Sequence, residues 1–158
     1  MNTDQITAFL PCRKGSQRVP LKNVKQFGPY GAGLIHIKLK QLLQVEEIDQ
    51  IIVSSNDELV FGVARGFNDD RIQWIARPEE LCSSSASTDD VIRYVPTIID
   101  RGTVLWTHVT SPFVGSRHYK EAIRSYREGI KNGFDSLMSV TRLQDFVWTA
   151  DGPVNYSR

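Results

Sequence analysis

The stretch Phe9 to Phe27, FLPCRKGSQRVPLKNVKQF, decides how the rest of the chain reads. A short apolar run, Ile6, Ala8, Phe9 and Leu10, has the character of a buried strand. It is expected to stop at Pro11 and open into a loop containing Gly15, Ser16 and Pro20. That loop carries Arg13, Lys14, Arg18, Lys22 and Lys25, and no acidic residue lies between Asp4 and Glu46. A strand emptying into a flexible cationic loop is how α/β proteins present backbone N–H groups, guanidinium and ammonium to phosphates. Arginine grips phosphate oxygens bidentately and lysine supplies a point charge. On spacing alone an ordinary basic surface loop remains an equal reading. The loop is no Walker A motif, because no Gly-Lys-Ser/Thr closes it. Gly28, Gly31 and Gly33 do not have dinucleotide-fingerprint spacing.

Working outward, Leu34, Ile37, Leu39, Leu42 and Leu43 recur near helical spacing with Lys38 and Lys40 between them, which predicts an amphipathic helix. His36 reads as a packing residue within it. Ile48 to Val53 predicts a strand, and Asp57 an N-cap for a helix from Glu58 to Phe67 that Gly66 helps to end. RIQWIAR alternates as a strand that delivers Arg77 to its end. A serine-rich loop, 83–87, precedes a helix capped by Ser87 or Thr88 with Asp89 and Asp90 in its first turn, and Pro96 shortens that helix. Val104 to Val109 predicts a buried strand turning out at Thr110-Ser111-Pro112. Ser116 to Gly133 predicts a helix with Ser116 as N-cap, DSLMSVTRL a further strand, and Asp151-Gly152-Pro153 a hairpin or loop. Alternating strands and helices predict an α/β fold, a parallel sheet with helices on both faces. The loops 13–23, 77–88 and 108–112 then converge past the strand ends, where such sheets bind ligands.

At 158 residues the chain has room for one domain with a real core. Its 41% hydrophobic and 23% charged residues are ordinary for a globular protein, and the net charge of +1 gives no reason to expect nucleic acid as a partner. Cys12 and Cys82 make no disulfide framework, no run reaches membrane-spanning length, and MNTDQ lacks the form of a signal peptide. The expectation is a cytoplasmic protein that binds no membrane.

The segment PCRKGSQRVPLKN resembles the N-terminal signature of the acylneuraminate cytidylyltransferase family, Arg-x-Gly-Ser-Lys-x-hydrophobic-Pro-x-Lys-Asn. Arg13, Gly15, Ser16, Pro20, Lys22 and Asn23 fall on the pattern, and Gln17 stands where Lys is usual. Arg77, Pro78, Leu81, Ala86 and Ser87 match its cytidine- and ribose-binding segment, with Ser84 where Asp is common. Thr110, Ser111 and Pro112 match its Gln-x-Thr-Ser-Pro turn, with His108 replacing Gln. The resemblance implies a three-layer Rossmann-like nucleotidyltransferase fold across residues 1–158. It implies transfer of CMP from CTP to a sialic-acid-like nonulosonate, with release of pyrophosphate.

It also implies roles. Arg13 and Lys22 stabilise the triphosphate, with Gln17 or Arg18 replacing the usual Lys. Arg13, Gly15, Ser16, Asn23, Arg77, Ala86, Ser87 and Thr88 hold the nucleotide, and His108, Thr110 and Ser111 lie towards the base or sugar. Mg²⁺ is the implied cofactor. Its usual aspartates, a catalytic arginine and a dimer-forming excursion lie further along in the family, so this chain is expected to be a truncated form, dimeric when full length. The alternatives are a cytidylyltransferase for another acidic sugar, such as 3-deoxy-octulosonate, and a non-catalytic CTP-binding module.

Overall fold

The computed structural model describes residues 5–142 and 144–155. The chain divides into two compact units, one through Arg124 and one from Ser125. The larger unit is built on a parallel four-stranded sheet. Its central strand β1 (Ile6–Cys12) pairs on one side with β2 (Gln50–Ser55) and on the other with β4 (Thr103–Trp106); β3 (Ile72–Ala76) lies beyond β2. Residue by residue, Ala8 faces Ile51 and Leu105, and Phe9 faces Ile52 and Trp106.

Side chains alternate across a strand, so this register sorts the core into two layers. Ala8, Leu10, Ile51 and Val53 join one cluster with α1 (Gly33–Leu43), α2 (Glu58–Arg65) and Tyr119 and Ile123 of α4 (Ser116–Lys131). Phe9 and Ile52 point the other way, onto Val91 of α3 (Thr88–Tyr94) and Val95 of the 3₁₀ turn that follows it. Phe9 and Trp106 meet edge to face at 5.0 Å. The result is the helix–sheet–helix layering of the Rossmann-like α/β class. Both faces are covered over the central strands β1 and β2, which is why they carry continuous apolar runs, whereas β3 at the sheet's edge alternates and leaves Trp74 exposed.

Caps fix where the helices begin and end. The Asp57 carboxylate accepts from Leu59 N at 3.1 Å, as expected, and α2 ends at Arg65 with Gly66 as its C-cap. Ser87 and Asp90 form a reciprocal capping box on α3. The helix gives way at Val95–Thr97 to a 3₁₀ turn containing Pro96. Arg71 donates to Leu43 O (2.9 Å) and Val45 O (3.4 Å) beyond α1, meeting carbonyls that have no helical partner.

Several expected boundaries move. β1 does not stop at Pro11 but runs through it to Cys12. Phe9 O, on the β4 side, accepts from Thr107 N, so Pro11 N two residues on faces the same way, where β4 has already ended at Trp106. The missing N–H therefore breaks no ladder. The strand expected at Ile48–Val53 lies at Gln50–Ser55, and the one expected at Val104–Val109 is the shorter β4. Ser116 is the first residue of α4 rather than its cap; the N–H of the preceding Gly115 donates to His118 Nδ1 at 3.1 Å.

In the smaller unit, Phe134 N–H returns to Gly129 O beyond the end of α4, with Gly133 at φ 86°. The strand expected over DSLMSVTRL is not formed: residues 135–142 are exposed and irregular, and Leu143 lies outside the described residues. Strand propensity becomes a strand only where a neighbour pairs its backbone, and none of the described residues does so here. The expected hairpin is present, with β5 (Trp148–Thr149) antiparallel to β6 (Gly152–Pro153). No described helix is long and apolar enough to cross a membrane.

Candidate functional site

Because the four strands are parallel, the loops leaving β1, β3 and β4 emerge at one edge of the sheet. They enclose a cleft of about 610 Å³. Residues 11–18, Lys22 and Asn23 form one wall, and Cys82, Ser84, His108, Val109 and Thr110 supply the rest. Four of these residues are cations (Arg13, Lys14, Arg18 and Lys22), and none is a carboxylate. Among the described residues none of the four is ion-paired to Asp or Glu. A cleft lined this way concentrates anions.

The cationic loop is anchored at both ends. The Ser55 hydroxyl donates to Cys12 O, and Lys14 N–H donates to Asn56 Oδ1 at 2.9 Å. At the far end the buried Asn23 side chain donates back to Arg13 O at 3.1 Å, while Asn23 O accepts from Ile35 N at 2.9 Å in α1. Leu21 sits at φ 54°, and its carbonyl accepts from both Val24 N and Lys25 N. Such a conformation is costly for a leucine, and the flanking bonds hold it there. Gly15, at φ 81°, supplies the other reversal without that cost.

Arg13 ties this loop to the serine-rich one: its Nη1 donates to Ser83 O at 2.6 Å and to Cys82 O at 3.5 Å. Beneath them Arg77 is buried, its N–H on Ser55 O (2.8 Å) and its Nε on the Cys82 sulfur (3.2 Å). Ser87 is committed to capping α3, its hydroxyl on Asp90 Oδ2 at 2.7 Å; that bond holds the Asp90 carboxyl below its usual range. Burial pushes the Cys12 thiol up to about 12, an effect opposed by the Arg77 charge.

On the third loop, the N–H and hydroxyl of Thr107 both donate to Phe9 O, at 2.9 and 3.1 Å, and so close the end of the sheet. His108 follows on the cleft wall. Burial lowers its pKa and the charge of Lys38 lowers it further, which favours the neutral imidazole. It then carries one donor and one acceptor nitrogen.

The described residues contain no group of three or more His, Cys, Asp or Glu able to hold a metal ion, and the cleft's lining has no carboxylate. Among the described residues, the side chains that line the cleft offer no carboxylate ligand for magnesium.

A family model described as cytidylyltransferase matches residues 7–152. The chain belongs to the cytidylyltransferase family. It is 30% identical over 139 residues to the N-acylneuraminate cytidylyltransferase of Escherichia coli O18:K1:H7, covering 87% of this chain and 32% of that one. Identity to the N-acylneuraminate cytidylyltransferase of Oncorhynchus mykiss is 29% over 148 residues (90% and 32%). For the pseudaminic acid cytidylyltransferase of Campylobacter jejuni it is 26% over 141 residues (86% and 58%). The chain thus spans about a third of the length of the N-acylneuraminate relatives. Among solved structures, a 4-diphosphocytidyl-2C-methyl-D-erythritol synthase from Anaerococcus prevotii aligns at TM-score 0.68 and 19% identity, covering 99% of this chain and 65% of that one. CMP:2-keto-3-deoxy-manno-octonic acid synthetase complexed with CTP aligns at 0.62 and 18% (78% and 48%). These two likenesses bear on the fold.

Of the site residues expected in this cytidylyltransferase chain, Arg13, Gly15, Ser16, Gln17, Arg18, Lys22, Asn23, His108 and Thr110 line the cleft. Arg77, Ala86, Ser87, Thr88 and Ser111 are not part of its lining, while Ser84 and Cys82 are. In the sequence Lys38 reads as one of the polar residues between the apolar positions of an amphipathic helix. Yet it lies four residues from both Leu34 and Leu42, on the helix's apolar stripe, and it is fully buried.

Proposed function

We propose that this chain carries the nucleotide site of a cytidylyltransferase that transfers CMP from CTP to an acidic nonulosonate sugar, releasing pyrophosphate. The observation that carries the reading is the four-cation, carboxylate-free wall leaving β1, faced by the serine loop and by His108 and Thr110. The sequence relatives, N-acylneuraminate and pseudaminic acid cytidylyltransferases, support the acceptor class.

In this reading the triphosphate lies along the loop 13–22, held by Arg13, Lys14, Arg18 and Lys22 and by the N–H groups around Gly15. The sugar's anomeric hydroxyl oxygen attacks the α-phosphorus. A new P–O bond forms, the bond to the β-phosphate bridge breaks, and pyrophosphate leaves with the electron pair while the hydroxyl proton passes to solvent. The protein's contribution is alignment of the two oxygens and compensation of charge growing on the leaving pyrophosphate. Neutral His108 offers a hydrogen bond of either sense to the base or acceptor.

Calorimetry of the 158-residue chain with CTP, and with ATP as control, tests the reading. CTP-selective binding lost on Arg18→Ala plus Lys22→Ala, with pyrophosphate released only when a nonulosonate is added, supports it. CTP binding without turnover on any acidic sugar favours a non-catalytic CTP-binding module. No nucleotide binding by folded protein overturns both.

A further inference from the structure

Two side chains three residues apart on α1 reach the turn that follows His108. The Lys38 ammonium donates to Ser111 O (2.9 Å), Val114 O (2.8 Å) and the Tyr119 hydroxyl (2.8 Å). Gln41 Nε2 donates to Pro112 O at 2.7 Å. An ammonium has three N–H groups, and here all three are used, none on a carboxylate. Burying a charge among neutral acceptors costs far more than a leucine in the same stripe. What the arrangement provides is orientation. Three carbonyls of one short turn are drawn onto α1, which leaves the residues just before it on the cleft wall. The same helix meets the cationic loop at its other end, through Ile35 N–H on Asn23 O. One rigid element thereby spaces the two walls of the cleft.

We propose that Lys38 is a positioning residue: by gripping the carbonyls of Ser111 and Val114 it fixes where His108 and Thr110 stand opposite the cationic loop. What those two residues contact rests on the proposed function; the positioning itself does not. Tyr119 from α4 and His108, just before the turn, are the polar side chains that bear on Lys38. Burial lowers its pKa to about 8.

NMR of the whole chain, with labelled histidine and lysine side chains and backbone amides, tests this without relying on turnover. The expected result is a lysine in the native chain that titrates near 8, a step that Lys38→Met removes. Lys38→Met also raises the His108 midpoint, because the nearby charge is gone, and shifts the amide signals of Ser111, Val114 and Gly115. A folded Lys38→Met chain in which His108 and those amides are unchanged overturns the proposal. Should that variant not fold, the native chain still decides: amide signals of Ser111, Val114 and Gly115 that do not move as the Lys38 ammonium loses its proton overturn it. Failure of the native chain to bind CTP counts against the proposed function and leaves these readouts intact.

Discussion

Gly33→Ala probes how firmly α1 holds the cationic loop. Gly33 has φ 69°, and a Cβ there would lie 2.5 Å from Lys25 O, 2.6 Å from Val24 C and 2.8 Å from Asn23 O, all backbone atoms. The left-handed conformation costs an L-residue about 1–2 kcal/mol. Moving Lys25 O from 2.5 Å out to ordinary contact at 3.4 Å takes about 0.9 Å, and overpacking of this kind costs about 1–3 kcal/mol more. The total is about 2–5 kcal/mol, or roughly 5–20 °C in Tm for a chain of this size. The clash falls on Asn23, Val24 and Lys25, so relief comes by displacing the loop beside Lys22, and CTP affinity should drop about tenfold or more. Gly31 has open space at its Cβ and no positive φ, so Gly31→Ala is the control, expected within about 0.5 kcal/mol of the parent. Differential scanning calorimetry and CTP titration of the three proteins make the comparison. A Gly33→Ala chain melting within about 2 °C of the parent, with CTP binding intact, refutes the claim that α1 and the loop are locked together.

Arg13→Ala removes one of the four cations lining the cleft and the tie to Ser83 O, and should weaken CTP binding about tenfold to a hundredfold; calorimetry reads this, and parental affinity would count against the loop as the triphosphate site. Arg77→Ala should instead lower stability, by about 2–4 kcal/mol of lost packing and hydrogen bonding read from urea melts, because its guanidinium lies buried under the serine loop; a large affinity loss at parental stability would place it in the site after all. The Cys12 thiol is protonated and buried at neutral pH, so a thiol reagent at pH 8 should modify it only after denaturant is added. Two groups give stability opposite slopes in the alkaline range. Lys38, held near 8 against 10.5 when free, has a stability contribution that is complete above 10.5 and lost as pH falls through 8. Cys12, held near 12 against 9.0, has one that is complete below 9.0 and lost as pH rises through 12. Urea melts at pH 7.5, 9 and 10.5 should show Lys38→Met abolishing the rising component.

The strand–helix alternation, the cationic loop with its glycine, and caps at Asp57 and at Ser87 or Thr88 were legible in the residues alone. Each rests on residues close together in the chain, where periodicity, charge and hydrogen-bonding chemistry act locally. That Pro11 lies inside a strand emerged only on folding, since it depends on β4 ending at Trp106. Pairing likewise decided that 135–142 is no strand: the segment has the propensity but lacks a described partner. The same holds for the cleft. Arg77 and Ser87 belong to the right loop, yet folding turned Arg77 inwards onto Cys82 and bound Ser87 to Asp90, away from the lining. Lys38 shows the reason most clearly. Helical spacing placed it on the apolar stripe, but its acceptors at Ser111 and Val114 lie more than seventy residues away and meet it only when β4 and α4 pack against α1.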